Sequence, residues 1–493
     1  MGDGTYSVNY AYVPNSSLVD TVTFKQGTTT RMTTQRRFDY LGRLQSIVNT
    51  PAGAGQLPAS YAYQYNQTNQ RTQMTLADGS FWAYRYDALG QVTSGKRYWN
   101  DGGPVPGQQF EYGFDDIGNR NSTKSGGDAN GANLRSATYT PNLLNQYTQR
   151  TVPGSFDILG LATAANSVTV NSAAVDYRHG EYFQKNVIIN NASSALWQAI
   201  TTTAGTTTTT GNLFVAQTPE VPTYDLDGNL FQDGRWIYTW DGENRLIGME
   251  SLSAAPSASK RKLTFEYDDL GRRIGKKVYV WTGSAYPASP NTTLKFLYDG
   301  WNLLAEFDAG NSIVRSYQWG LDLSGSIQGA GGVGGLLSVR TAGGTAQFIG
   351  YDGNGNVTIG VDGGTGSQVF SFEYGPFGEP IRSSGQNAST LMFQFSSKCL
   401  DRQTGLVYYG FRYYNPTIGR WISRDPLGEV NGNNNFGFVS NSPLDVVDQD
   451  GRAAFSFQIK RIKDFLAADD KDSAADEALG LYQSIYHGSI LIH

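Results

Sequence analysis

Apolar and polar residues alternate along short stretches of this chain, and each stretch ends at a similar turn sequence. In Phe81–Tyr86, for example, the rings of Trp82, Tyr84 and Tyr86 fall at every second position. An alternation of period two places these rings on one face of a β-strand. The turn sequence at 87–90 then leads into the next apolar segment. The pattern therefore predicts β-hairpins.

The turn sequence recurs along most of the chain as an aromatic residue, Asp or Asn, one or two residues, Gly, a polar residue and an apolar one. Copies occupy Phe38–Leu44, Tyr86–Val92, Phe114–Arg120, Phe156–Leu161, Tyr224–Leu230, Trp240–Leu246, Tyr267–Arg273 and Tyr351–Val357, with a variant lacking Asp at Tyr374–Pro380. An Asp side chain caps a turn, and Gly supplies the positive φ that a turn needs. We expect each copy to form one hairpin and stacked copies to bury a common aromatic face.

The number of copies sets the size of the predicted sheet. A dozen hairpins supply about 24 strands, which span about 115 Å at roughly 4.8 Å each. Wound once, such a sheet closes a ring only about 37 Å wide. The predicted fold class is mainly β, built of antiparallel hairpin repeats. A ring of this size encloses at most a short peptide, unless the chain is part of a larger wall.

Two segments depart from the repeat pattern. Residues 162–222 are rich in Thr, Ala, Ser and Asn, include the run Thr206–Thr210 and lack clear repeat turns. They form either inserted strands or a loose excursion. The run Gly329–Gly335 predicts a flexible turn between strands. It is not a phosphate loop, because no Gly-Lys-Ser/Thr sequence and no helical pattern follow it.

The last part of the chain has a different period. Between Gln458 and Tyr486, apolar residues follow helical spacing. The charged sequence Asp469–Asp472 divides this segment. We therefore predict two short helices within 453–493.

Composition agrees with strands and tight turns. Of 493 residues, 59 are Gly, 30 Tyr and 24 Phe, and only 16% are charged.

The net charge is −5, so no nucleic-acid partner is expected. Because Cys399 is the only cysteine, the chain cannot form an intrachain disulfide. No apolar stretch is long enough to span a bilayer, and residues 1–5 do not begin a signal peptide. We expect the chain to be a fragment of a longer protein, because it starts within strand-like sequence.

The stretch Cys399–Arg452 carries the most specific motif. Residues 405–428 read G-L-V-Y-Y-G-F-R-Y-Y-N-P-T-I-G-R-W-I-S-R-D-P-L-G, and a degraded copy of the ending, D-Q-D-G, follows at 448–451. This pattern resembles the RHS-repeat-associated core of bacterial RHS and YD-repeat proteins, and the repeated turn sequence resembles the YD repeat itself. The resemblance implies a YD-repeat β-shell over residues 1–395, spiralling around a cargo. It also implies a core plug over 396–452 and a short helical C-terminal segment over 453–493.

The resemblance also implies a reaction. In this family, the core cuts its own chain with two aspartates, one taking a proton from water while the other donates one to the carbonyl oxygen. By position these are Asp425 and Asp448, 23 residues apart (448 − 425), and the cut would fall between Arg452 and Ala453. Arg424 precedes the first acid and is expected to hold its ionised form or the developing oxyanion.

This chain differs from the family pattern at two positions. Gln449 replaces the usual Pro, and Arg452 replaces the usual Leu. Both changes bear on cleavage, since Pro would fix the backbone beside the acid and the residue before the cut fills a pocket. The alternative for Asp425 and Asp448 is that each simply caps a local turn. A third alternative is an inactive core whose tail stays attached.

Other chemistry has little support. The three His residues, His179, His487 and His493, are far apart, and a single Cys cannot supply a zinc ligand set. We therefore predict no metal and no cofactor, and we expect Cys399 to be a buried small hydrophobe. Residues 225–229 resemble the start of a Ca²⁺ loop, but the twelfth position is Trp236 instead of Glu.

Two functions remain open from sequence. The first is a bacterial shell that encapsulates its own C-terminal segment and cuts itself at Arg452–Ala453, with secretion-machine or toxin-complex proteins as partners. The second is a non-enzymatic surface or adhesion module that binds glycans or proteins, as in teneurins. The glycan surface requires exposed rings, whereas a buried aromatic face leaves none. Either function predicts a secreted or cell-surface location.

Overall fold

The computed structural model describes residues 4–452 and 454–456. Ala453 and the segment predicted to be helical lie outside the described residues, apart from the short strand at 454–456. Among the described residues, regular structure consists of strands and four short 3₁₀ turns. The predicted fold class, antiparallel β-hairpin repeats, is confirmed.

The first sheet has twelve strands in strictly sequential, antiparallel order. They are β1 (Tyr6–Tyr12), β2 (Val19–Gln26), β3 (Thr29–Phe38), β4 (Leu44–Pro51), β5 (Ala59–Tyr65), β6 (Arg71–Leu76), β7 (Phe81–Tyr86), β8 (Val92–Tyr98), β9 (Pro104–Phe114), β10 (Arg120–Gly126), β11 (Leu134–Pro141) and β12 (Tyr147–Arg150). A sequential order means that each hairpin pairs edge to edge with the next, as the repeat pattern predicts.

The Thr-rich segment takes the first of its two predicted forms, inserted strands. The strands form a three-stranded sheet in the order β13–β17–β16 and a four-stranded sheet in the order β15–β14–β18–β19. Their bounds are β13 (Ser155–Leu161), β14 (Val168–Val170), β15 (Ala173–Ala174), β16 (Tyr177–His179), β17 (Tyr182–Ile188), β18 (Leu196–Ala204) and β19 (Thr207–Val215).

The second large sheet has fourteen strands, again in sequential order. They are β20 (Thr223–Tyr224), β21 (Leu230–Gln232), β22 (Trp236–Trp240), β23 (Leu246–Ser251), β24 (Arg261–Tyr267), β25 (Arg273–Val280), β26 (Thr292–Asp299), β27 (Asn302–Phe307), β28 (Ile313–Trp319), β29 (Leu336–Thr341), β30 (Ala346–Tyr351), β31 (Val357–Asp362), β32 (Gln368–Tyr374) and β33 (Pro380–Ser384).

A small four-stranded sheet and a hairpin follow in the region of the specific motif. The sheet contains β34 (Cys399–Asp401), β35 (Leu406–Tyr408), β36 (Tyr413–Asn415) and β37 (Arg420–Trp421). The hairpin pairs β38 (Val446–Asp448) with β39 (Ala454–Ser456). Cys399 is buried, as expected.

The repeat Asp residues cap their turns. In the turn at 115–119, Asp115 Oδ1 accepts the backbone N–H groups of Ile117 (3.1 Å) and Asn119 (2.8 Å). Its Oδ2 accepts the Asn119 side-chain amide at 2.9 Å. Asp39, Asp87, Asp241, Asp268 and Asp352 accept two backbone N–H groups in the same way. The predicted local role of the repeat Asp is therefore present in the structure.

At many repeat turns, the Tyr or Trp before the turn connects one hairpin to the previous one. Tyr65 donates its hydroxyl to the Leu44 carbonyl at 2.7 Å, and Tyr267 does the same to Leu246 at 2.7 Å. Equivalent bonds from a Tyr hydroxyl or a Trp indole join Tyr86 to Arg71, Trp240 to Leu230, Tyr298 to Arg273, Trp319 to Leu303, Tyr351 to Leu336 and Tyr374 to Val357. The accepting carbonyl belongs to a residue at the start of the strand after the preceding turn.

One predicted repeat turn is wrong. Phe156–Leu161 lies within β13 and pairs with β17. Asp157 does not cap a turn there, because its Oδ2 accepts from Arg135 Nη1 at 2.5 Å and its Oδ1 from the Gln184 side chain at 2.7 Å. Gly160 allows Phe183 to pack closely, since a Cβ there would lie 2.4 Å from that ring.

The two large sheets pack against each other and against the C-terminal motif region. Phe24 and Met32 of the first sheet share a buried cluster with Phe348 and Ile359 of the second. The residues of β34–β36 pack into a larger cluster on the second sheet that includes Trp236, Phe265 and Tyr317. Within the described part of the chain, no helix is long and apolar enough to cross a membrane.

Residues 433–445 lie on the edge of the first sheet where the repeat turns are. Asn441 Nδ2 donates to Gln91 Oε1 at 2.9 Å and to the Gly118 carbonyl at 2.8 Å. Asn434 Nδ2 donates to Asn119 Oδ1 at 3.0 Å. The repeat turns thus supply the contacts that hold the motif region in place.

We predict that Asp115→Ala lowers the free energy of unfolding by about 1–2 kcal/mol, because two backbone N–H groups lose their acceptor. Asp116→Ala is the matched control: the neighbouring Asp116 is exposed in the same turn, and its removal should change stability by less than about 0.5 kcal/mol. Urea unfolding followed by circular dichroism measures both. Equal losses in the two variants would contradict the capping role.

Candidate active site

Three turns of the motif region bring the candidate residues together. Arg412 lies in the tight turn between β35 and β36, where the Tyr409 N–H donates to the Arg412 carbonyl at 3.1 Å. Asp425 follows β37, and Asp448 is the last residue of β38. These residues are distant along the chain, so only the packing of the small sheet against the hairpin places them at one point.

A single guanidinium contacts both acids. Arg412 Nη2 lies 2.8 Å from Asp425 Oδ2 and 3.9 Å from Asp448 Oδ2. The side chains of all three residues are at most 5% exposed. The Arg412 guanidinium also lies over the Trp421 ring at 4.3 Å. A buried cation that serves two carboxylates keeps both close to each other in spite of their like charge.

Arg412 also holds the backbone on both sides of the pair. Its Nε donates to the Gly451 carbonyl, and its Nη1 donates to the Asn435 carbonyl at 3.3 Å. Asn435 in turn accepts the Asp425 backbone N–H at 3.0 Å. One side chain thus links the first acid, the second acid and the peptide that precedes Arg452.

Each acid uses one oxygen locally and turns the other to Arg412. Asp448 Oδ1 accepts the N–H groups of Asp450 (3.0 Å) and Gly451 (2.6 Å). Asp425 Oδ1 accepts the Leu427 N–H at 2.9 Å. The turn-capping alternative is therefore correct for the Oδ1 atoms, and it leaves the Oδ2 atoms at the shared guanidinium.

The environment of Asp448 favours its protonated form. Burial is the largest cause and raises the pKa of this carboxyl from 3.8 to about 6, while Arg412 and the Gly451 N–H oppose the shift. The Asp450 charge adds to the increase in the pKa. A carboxyl with this pKa exchanges its proton near neutral pH, as a general acid must.

A cavity of about 570 Å³ lies next to the first acid. Asp425, Phe411, Tyr267 and Trp240 are among its lining residues. Space large enough for water therefore adjoins Asp425.

Arg452, the residue before the predicted cut, is also held by contacts with residues other than Asp425 and Asp448. Arg452 Nη2 lies 2.8 Å from Asp450 Oδ2, and the Arg452 guanidinium lies 3.5 Å from the centre of the Phe411 ring. Asp448 pairs with Ala454 across the hairpin, and the described residues 449–452 lie in its loop. The predicted cut falls within this loop, although Ala453 itself lies outside the described residues.

Arg424 has a different position from the one expected. Its side chain is exposed and its aliphatic part packs against Gly228, where a Cβ would lie 2.5 Å from the Arg424 Cδ. Among the described residues, no ion pair joins it to either acid. Sequence reasoning did not identify Arg412 as a site residue. The signal that could have identified it is a single Arg between Phe411 and Tyr413, because a cation within a run of aromatic residues needs buried partners for its charge.

Comparison with known families supports the resemblance. Residues 332–434 match the Teneurin YD-shell family model, and residues 65–101 match the RHS Repeat model. The resemblance to RHS and YD-repeat proteins is therefore confirmed.

Curated relatives match parts of the chain. The tRNA3(Ser)-specific nuclease WapA of Bacillus spizizenii is 29% identical over 235 residues, 46% of this chain and 9% of the relative. Toxin subunit YenC1 of Yersinia entomophaga is 42% identical over 109 residues, 22% of this chain and 11% of the relative. The chain thus spans about a tenth of the length of these relatives. A crystal structure of TcdB2-TccC3-Cdc42 is similar at a TM-score of 0.41 and 17% identity, covering 97% of this chain and 22% of that one.

The raised pKa of Asp448 predicts a pH dependence of stability. The folded state holds this proton more tightly than the unfolded state, so the contribution is complete below about pH 4 and is lost as the pH rises through about 6. Between pH 4.5 and 7.5, wild type should therefore lose about 2 kcal/mol relative to Asp448→Asn, which cannot ionise. Denaturant unfolding of chains shown by mass spectrometry to be intact measures this difference. A constant difference across the pH range would contradict the prediction.

Proposed function

We propose that this chain is an RHS/YD-repeat shell whose core cuts its own backbone between Arg452 and Ala453. The observation that carries the proposal is the contact of Arg412 with both Asp425 and Asp448, together with its bond to the Gly451 carbonyl. A buried arrangement of two acids beside a hairpin loop of the same chain is suited to intramolecular hydrolysis, because the substrate is permanently bound.

In the proposed reaction, Asp425 is the base and Asp448 is the acid. Asp425, which is paired with Arg412, takes a proton from a water molecule in the adjoining cavity. The water oxygen bonds to the carbonyl carbon of Arg452, and Asp448 gives its proton to the carbonyl oxygen. The tetrahedral centre then expels the Ala453 nitrogen, which receives the proton held by Asp425, while one hydroxyl of the centre returns its proton to Asp448 and becomes part of the new Arg452 carboxyl group.

Arg412 has two roles in this scheme. It pairs with the Asp425 carboxylate, and it holds the Gly451 carbonyl so that the following peptide stays beside the acids. Its positive charge also stabilises the negative charge that develops on the carbonyl oxygen before the proton of Asp448 is fully transferred. Pairing with the first acid and stabilising this developing charge are the roles that were expected of Arg424 from the sequence.

The cargo in this proposal is the segment that follows the cut. The shell would retain residues 453–493 after cleavage and deliver them with secretion-machine or toxin-complex proteins as partners, outside the bacterium that makes them. The toxin and nuclease names of the relatives support this kind of role. The alternative, a glycan-binding surface, has less support, because Trp82, Tyr84 and Tyr112 are buried.

We predict that purified wild type yields a species ending at Arg452 on mass spectrometry, and that Asp425→Asn and Asp448→Asn remain intact because each lacks one proton carrier. Arg412→Gln should slow the cut by at least about tenfold more than Arg424→Gln, since only Arg412 contacts both acids. A time course of intact mass measures these rates. An intact wild-type chain after prolonged incubation, or a larger loss in Arg424→Gln, would contradict the assignment.

We also predict that the released segment resists external protease while the shell is folded. In native protein, residues 453–493 should be degraded at least about tenfold more slowly by proteinase K than the same sequence as a free peptide, because access requires opening of the shell. Mass spectrometry of digests taken over time gives both rates. Equal rates would show that the segment is not enclosed.

A further inference from the structure

The glycine run Gly329–Gly335 forms a packed turn beside the candidate active site. It was predicted to be flexible, but Ala330 and Val333 are 0% exposed. Asp322 Oδ2 accepts the N–H groups of Ala330 (2.7 Å) and Gly332 (3.1 Å). The hydrogen bonds to this run show that its glycines allow other groups to pack closely against the backbone, as well as allowing the chain to reverse direction.

The close approach is to the loop that contains the predicted cut. A Cβ on Gly331 would lie 1.9 Å from the Gln449 carbonyl oxygen, and the φ of Gly331 is +65°. No other residue fits here without displacing that carbonyl. Gln449 is the residue directly after Asp448, so its position affects the whole turn that caps the Asp448 carboxyl.

A buried lysine binds the same carbonyl from another side. Lys398 Nζ donates to the Gln449 carbonyl at 2.6 Å and to the Gly331 carbonyl at 2.7 Å. Lys398 is 8% exposed. Burial lowers its pKa to about 8, whereas the charges of Asp448, Asp450 and Asp322 act to raise it. One ammonium group therefore ties the glycine run to the hairpin loop.

We propose that Lys398 and Gly331 are positioning residues that clamp the Gln449 carbonyl and thereby hold loop residues 449–452 in place for the cut. This inference rests on the proposed self-cleavage. Gln449 stands where the pattern of the resemblance has Pro. A proline restricts the backbone by its ring, and here two contacts to the carbonyl oxygen restrict the same residue.

The clamp acts on the reaction through the Asp448 turn. Asp448 Oδ1 is held by the N–H groups of Asp450 and Gly451, which follow Gln449 directly. If the Gln449 carbonyl moves, these donors move as well, and the Asp448 carboxyl loses its fixed orientation toward Arg412. Neither Lys398 nor Gly331 needs to touch the scissile peptide for this effect.

The first test measures the loop without any cleavage. In an Asp425→Asn background, which keeps the chain intact, hydrogen exchange of residues 449–452 is followed by mass spectrometry for Lys398→Met and Gly331→Ala. We expect exchange at least about tenfold faster in both variants, because each removes one side of the clamp. Gly325→Ala is the matched control, since Gly325 also has positive φ but a Cβ there meets nothing within 4 Å. Unchanged exchange in both variants would overturn the proposal.

The second test measures the cut in an otherwise wild-type chain. Lys398→Met and Gly331→Ala should each slow release of the species ending at Arg452 by at least about tenfold, with Gly325→Ala close to wild type. Normal cleavage in variants whose loop exchanges faster would overturn the positioning role. If wild type itself does not cleave, the proposed function fails, and the exchange experiment still decides whether the clamp holds the loop. Thermal unfolding by circular dichroism identifies any variant that fails to fold, and the other variant then carries the test.

Discussion

The hydrogen bond from a Tyr or Trp before a repeat turn to the carbonyl of the previous hairpin, present at eight turns of the described chain, is the interaction on which the architecture depends. Between hairpins, the β-ladder stops short of the turns: β4 and β5 pair only from Ser46 and Ala62 onward, and β23 and β24 from Gly248 and Thr264. The carbonyls of Leu44 and Leu246 beyond these pairs would lack a partner from the ladder. The hydroxyls of Tyr65 and Tyr267 fill that place. The rings thus bury apolar area and satisfy a backbone acceptor at the same point.

This repeated bond explains why two sheets of twelve and fourteen strands form from one short motif. Each hairpin needs only its neighbours to be complete, so the chain extends by adding copies. The sheets then curve until distant copies meet, and Phe24 of the first sheet packs on Phe348 of the second at a ring distance of 5.1 Å. The motif region packs against both sheets and donates hydrogen bonds to the repeat turns.

The candidate active site reuses the chemistry of the repeat turn. Asp115 and Asp448 both accept two backbone N–H groups through Oδ1. They differ in what faces the second oxygen. For Asp115 it is the amide of Asn119, whereas for Asp448 it is a buried guanidinium shared with a second acid. A structural turn and a candidate catalytic turn therefore both use Oδ1 to cap the backbone, and they differ in what surrounds Oδ2.

Local sequence determined the hairpins, because strand alternation and the Asp–Gly turn depend on residues within a few positions of each other. It also singled out Asp425 and Asp448 through the resemblance of their motif. The strand position of Phe156–Leu161 could not be read in this way, since Arg135 and Gln184 compete for the Asp157 carboxylate from other strands. The roles of Arg412, Lys398 and the glycine run could not be predicted from local sequence either. They depend on partners far along the chain, as the contact between Lys398 and Gln449 shows. Burial strengthens such contacts, and it is decided only when the sheets close around the motif region.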